Sequence, residues 1–343
     1  MKSTLSPWLW SLFSLVFFAL LLFFPKVTVA GASAGLLLWY RTLLPTLLPT
    51  MILADYLIRI DAHILLIRWL QTPISLLFGT SPAGSYGVLV GFLCGYPMGA
   101  KTAATLLKQQ SISPREANYL LAFTNQPSPM FLIGYLCLSF QPAFFHMDLL
   151  APVPYRDTFS VGTCIFITLC SIYSSAYMIS VCHRALWHLF GRPIRFRTQD
   201  TPLKRNKTTD STPLSLLEIS MMTSFEVMGK IGGYLMLFSI VEQWILLLPG
   251  LPYVLRLLFL GLVEMTTGIN HMITGISFPW SLSLCIGVSA FGGLSGYAQT
   301  ANLIQNSGLS AAHYLLWKLL QGILATVIAL LLTCFLGYYP VMS

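Results

Sequence analysis

Two glycine-broken apolar segments carry the polar residues best placed in this chain to hold a solute. The first reads Gly95-Tyr96-Pro97-Met98-Gly99-Ala100-Lys101-Thr102; the second reads Gly292-Gly293-Leu294-Ser295-Gly296 and continues to Gln299 and Thr300. A helix beginning at the first of these aims its free N–H groups and the positive end of its dipole into the space before it, and Lys101 adds a full charge beside them. That chemistry suits an anion. The other reading of Lys101 is a pairing with an internal acid such as Glu226 or Glu264. Gln299 and Thr300 offer hydrogen bonds without charge, so a site built from both segments has one cationic and one neutral polar wall. It fits a solute with a carboxylate at one end at least, and Tyr96 is an aromatic that could stack on a planar ring.

Three further places carry polar groups inside apolar sequence. Phe123-Thr124-Asn125-Gln126-Pro127-Ser128-Pro129 interrupts a hydrophobic run. Its prolines leave carbonyl groups unpaired, which Asn125, Gln126 and Ser128 can meet, or which can meet an ion or a solute; a plain proline kink is the alternative. Glu264, followed by Thr266, Thr267, Gly268 and Asn270, has no base at helical spacing. It is a candidate for proton or sodium coupling, or else a structural acid that caps a hairpin. Glu226 and Lys230 stand at i, i+4, the favourable order for an ion pair, and Glu226 is the second coupling candidate.

The elements that position these residues follow from composition. The chain has 343 residues, 56% of them apolar and only 9% charged, against roughly 25% charged in soluble domains. It reads as an all-α polytopic membrane protein. Aligned without a gap, the two glycine segments share Gly95/Gly292, Gly99/Gly296, Ala104/Ala301, Leu106/Leu303 and Ser113/Ser310. Interrupted apolar segments at matching places in two halves point to a transporter's binding site, because broken backbone at membrane depth survives only where it lines a cavity.

Apolar runs of about 20 residues place spans near 7–24, 31–58, 115–140, 158–181, 219–249 and 311–337. The interrupted runs 84–110 and 281–306 read as re-entrant hairpins. The shorter runs 63–79 and 251–264 read as helices lying at the interface. With both termini cytoplasmic, Lys2, Arg59, Arg68, Lys108, Arg115 and the seven basic residues from Arg184 to Lys207 all fall inside, while Lys26, Arg156 and Arg256 fall outside. The two hairpins then open to opposite faces, and the halves are inverted repeats. The domains expected are an N-terminal transmembrane helix (1–30), a first repeat (31–181), a basic cytoplasmic loop (182–218) and a second repeat (219–343). Pro45-x3-Pro49 and Gly229-x3-Gly233 mark bends and close packing.

The net charge of +8 gathers in the basic loop, which suits anionic lipid rather than nucleic acid. Single scattered cysteines and isolated histidines give no metal pattern, and no P-loop or nucleophile elbow is present. Neither an enzyme nor a cofactor is expected.

The stretch Gly91-Phe92-Leu93-Cys94-Gly95-Tyr96-Pro97-Met98-Gly99-Ala100-Lys101, with Ser113-Pro114-Arg115-Glu116-Ala117, Phe123-Thr124-Asn125, Ser224-Phe225-Glu226, Gly232-Gly233 and Glu264 to Gly268, resembles the YlbJ-type sporulation membrane proteins, which contain the nucleoside-recognition or Gate domain. Gln126-Pro127-Ser128-Pro129 departs from the family pattern, which often has a second Asn and Ser-Gly-Pro. The resemblance implies a multi-pass protein of the bacterial membrane around the developing spore, with kinship in architecture to concentrative nucleoside transporters. It also implies dipicolinic acid as cargo.

The function expected is therefore secondary transport of a small anionic metabolite, with dipicolinate the candidate of the resemblance. The rivals are a nucleoside or nucleobase carrier coupled to Na+ or H+, and a non-transporting scaffold of the spore envelope. Substrate contacts are expected from Gly95, Tyr96, Gly99, Lys101, Thr102, Asn125, Gly292, Gly296, Gln299 and Thr300, with coupling at Glu264 or Glu226. A homo-oligomer is compatible with this architecture.

Overall fold

The computed structural model describes residues 7–60, 63–140, 160–189, 212–248, 250–305 and 307–338, and the described residues form helices without a strand. Most of the basic loop (190–211) and the residues near Lys2 and Arg156 lie outside them. Five helical stretches are long and apolar enough to cross a membrane: Pro25–Leu57, Val161–Leu189, Pro213–Leu246, Trp280–Ile304 and Ala311–Phe335. The expected helical, polytopic class is found.

The chain opens with α1 (Pro7–Phe23) and α2 (Pro25–Leu38). A π turn over Trp39–Leu43 leads into α3 (Leu44–Arg59). The turn immediately precedes Pro45, whose missing N–H breaks the regular ladder. α2 and α3 pack along α10 (Pro213–Leu246), and a Cβ on Gly31 or Gly35 would lie within 2.8 Å of α10. α4 (His63–Phe78) meets α5 (Pro82–Cys94) at a 94° bend.

α5 turns back through Gly95-Tyr96-Pro97 into α6 (Met98–Lys108), and the two arms pack on one another as the first hairpin. Ser81 caps α5 through the N–H of Gly84, and positive φ at Gly95 (78°) ends it. α7 (Pro114–Phe123) is capped by Ser113, breaks at Thr124–Ser128, and resumes as α8 (Pro129–Phe131) and a π turn over Leu132–Cys137. α9 (Val161–Leu189) returns and runs eight residues past the boundary expected at 181, because its far end buries His183 against Tyr119 and Trp317.

The second half departs from expectation. The run expected to turn back at Gly292 does not: α13 (Trp280–Phe291) and α14 (Gly293–Ile304) continue as one broken span. α13 packs on α15 (Ala311–Phe335), while α14 packs on α6, α10 and α11. The helix pair that folds back is α11 (Tyr253–Val263) and α12 (Met265–Gly275), with Glu264 at its tip. This replaces the interfacial helix expected at 251–264. Close approach makes the hairpin: a Cβ on Gly268 would fall 2.3 Å from the Cα of Gly261. The pairing of Gly95 with Gly292 therefore aligns a hairpin tip with a helix break.

That crossing also moves the C-terminal end. α15 begins beside the end of α9 from which the basic loop leaves, with His313 3.1 Å from His183, and finishes where Tyr338 meets Phe278. Its end lies opposite the basic loop rather than on the same side as expected. The basic-residue count was blind to this because no charged residue follows Lys318.

Candidate functional site

Both hairpin tips rest on helix breaks. On the first, Gly91 and Gly99 clamp the Thr124 carbonyl between the arms: a Cβ would come within 2.2 and 2.6 Å of that oxygen. Gly95 lies equally close to Ser128. On the second, Gly293 packs on the backbone of Glu264 and Met265. The tips also reach each other's halves. The Tyr96 ring covers Gly292, whose φ of 90° ends α13, and its hydroxyl donates to the Ala290 carbonyl at 2.9 Å.

Asn125 ties the first break together. Its amide donates to Thr300 Oγ1 (3.0 Å) and the Tyr314 hydroxyl (2.9 Å), and its Oδ1 accepts from the Ala100 N–H. Gln126, where the sequence departs from the family pattern, exchanges two 2.9 Å amide hydrogen bonds with Gln321 on α15. Lys318, fully buried, donates to the Asn125 carbonyl and to Gln321 Oε1, both at 2.9 Å. Its Nζ sits 5.1 Å from the centre of the Tyr96 ring. A broken helix leaves carbonyls at its C-terminal end that need donors, and Lys318 supplies one.

Glu264 caps α12. One carboxylate oxygen accepts from the N–H groups of Thr266 (2.7 Å) and Thr267 (2.8 Å), and the other from the Thr266 hydroxyl (2.8 Å). The Thr267 hydroxyl bridges Glu264 to Glu242 of α10, which is also buried. A hydroxyl has one proton and so donates to only one of them. If Glu264 receives it, Glu242 must supply its own proton to Thr267. Tyr135 closes this side by donating to the Thr266 carbonyl at 2.6 Å.

Between the tips lies a cavity of about 50 Å³. Tyr96, Glu264, Thr266, Gly292, Ser295, Gly296 and Gln299 line it, with Leu43, Leu47, Phe131, Ile231, Leu235 and Met265 as its apolar wall. α14 starts beside this cavity without a side-chain cap.

Of the residues singled out in the sequence, Tyr96, Gly292, Gly296, Gln299 and Glu264 line this space. Gly95 and Gly99 pack behind it, and Asn125 and Thr300 belong to the network beside it. Thr102 is buried in α6; Lys101 is only partly buried and does not line the cavity. Glu226 is 66% exposed, is paired with Lys230 at 2.6 Å and does not line the cavity. Sequence reasoning gave no role to Lys318, Glu242, Tyr314 or Gln321. Lys318, the last charged residue in the chain and set in the most apolar of the five candidate spans, was the signal available; nothing marked Glu242.

A helical bundle with several apolar spans, two short hairpins and two broken helices around a buried polar centre defines a polytopic integral membrane protein. The chain is similar to the sporulation integral membrane protein YlbJ of Bacillus subtilis (strain 168), with 25% identity over 331 residues covering 90% of this chain and 78% of that one. The match supports the YlbJ-type assignment read from the GYPMGAK segment. No family model and no solved structure matches the chain.

Proposed function

We propose that this protein is a secondary carrier that moves a small anionic metabolite by alternating access around the cavity between the two hairpin tips. The observation that carries the reading is the meeting of both tips and the Gly292 break around one cavity, mostly apolar but reached by Glu264, Ser295 and Gln299, with the first break packed behind the first tip; such an arrangement costs backbone hydrogen bonds and is tolerated at membrane depth where it surrounds a solute path. Each half then consists of a hairpin followed by a broken helix: α5/α6 with α7/α8, and α11/α12 with α13/α14. They enter from opposite faces as inverted repeats, with the basic loop cytoplasmic. An anionic group binds at the N-terminus of α14 beside Ser295 and Gln299, while Lys318 is buried behind the Tyr96 ring and braces the first break. Glu264, joined to Glu242 through Thr267, is the coupling group.

The similarity to a sporulation protein makes dipicolinate the first substrate to try. In proteoliposomes, labelled dipicolinate should show saturable counterflow that uridine does not inhibit. Saturable uridine uptake unaffected by dipicolinate would transfer the cavity to a nucleoside carrier. Transport of neither, with sporulation left intact by Lys101→Ala and Glu264→Gln, would favour a scaffold.

A further inference from the structure

Glu226 and Lys230 pose a problem that neither the cavity nor the packing resolves. They are 66% and 56% exposed, and they flank the midpoint of the 34-residue helix α10. Ile231 and Leu235 of the same helix line the cavity between the tips, so Glu226 and Lys230 lie within about two turns of it, at a depth that the carrier reading places inside the bilayer. Charges at that depth face water or protein rather than lipid. Lys101, partly buried near the start of α6, lies within electrostatic reach of Glu226. α14 packs on both α6 and α10, and its Gly296 and Gln299 line the cavity. A Cβ on Gly229, Gly233 or Gly296 would meet nothing within 4 Å.

We infer that Lys101, Glu226 and Lys230 line a water-filled vestibule through which a small anion reaches the cavity from the side of the basic loop. The trio carries one net positive charge, which admits anions, and the Glu226–Lys230 pair lies along the path without closing it. The structure is then open towards the end at which α10 begins, where Lys108 and the flanks of the basic loop also lie. This inference rests on the carrier reading for its meaning, but the presence of water does not require that anything be transported.

Its test is therefore accessibility, not uptake. Single cysteines are introduced as Lys230→Cys, Gly233→Cys and, as a control at the midpoint of α15 with 64% exposure, Ile323→Cys. The background is Cys182→Ser, which removes the exposed native thiol among the described cysteines. Membrane-impermeant charged thiol reagents are applied to vesicles of each orientation. Lys230→Cys and Gly233→Cys should label at least tenfold faster than Ile323→Cys, and from the basic-loop side. Gly233→Cys leaves the ion pair intact and covers the case in which loss of Lys230 disturbs folding. Equal protection at all three positions would place this face in lipid. Protection with copy-to-copy crosslinking at 230 or 233 would make it an interface between two chains. Either result overturns the vestibule. Labelling as expected with no uptake of any anion would leave the vestibule standing and remove the carrier.

Discussion

Gly99→Ala tests whether the first hairpin is held by backbone contact with the broken helix α7. The added Cβ would sit 2.6 Å from the Thr124 carbonyl oxygen and 2.9 Å from the Asn125 Cα, whereas ordinary contact begins at 3.4 Å. The gap to be opened is 3.4 − 2.6, or 0.8 Å, and both neighbours are backbone, so no rotamer change relieves it. Overpacking of this kind costs about 1–3 kcal/mol. Gly296→Ala is the matched control. Its Cβ meets nothing within 4 Å, and in the helix α14 alanine is favoured over glycine by about 0.8–1.0 kcal/mol. The two variants should differ by about 2–4 kcal/mol in opposite directions from wild type. At roughly 2–4 °C per kcal/mol, the scale for domains of 150–250 residues, their unfolding temperatures in detergent should separate by about 4–16 °C. Intrinsic tryptophan fluorescence during a thermal ramp reads this directly. Equal unfolding temperatures, or Gly296→Ala as the less stable of the two, would refute the clamp on Thr124.

Asn125→Ala removes three hydrogen bonds around the first break and leaves buried donors or acceptors unmet, at about 1–3 kcal/mol for each group stranded; a marked drop in detergent stability is expected in the same thermal ramp. Glu264→Ala loses the cap of α12 and should cost at least the ~1 kcal/mol of an N-cap, while Glu264→Gln keeps an acceptor oxygen and should lie closer to wild type. Comparing their hydrogen exchange over 264–275 separates the two. Glu226→Gln should leave the unfolding temperature unchanged, since an exposed ion pair contributes little; a clear loss would mean that the pair packs against something.

The residues themselves settled the class. So few charges over 343 residues, with apolar runs of span length, admit little but a bundle of membrane helices, because local hydrophobicity alone decides what leaves water. Gly95 and the prolines after Asn125 were legible as breaks for the same local reason: φ and N–H limits belong to the residue, whatever surrounds it. Gly292 was equally visible as a break. Whether the chain turns back there or runs on was not, since a positive φ ends a helix without fixing the direction of the next. Packing decided it: α13 lies along α15, while the close approach of Gly261 and Gly268 folds α11 onto α12. Lys101, beside its motif, looked like the site's cation, but it does not line the cavity, and Lys318 arrives from more than 200 residues downstream to meet the carbonyl of Asn125. Burial is a property of the assembled helices, and neither spacing nor composition records which polar side chains the folded chain will bring together.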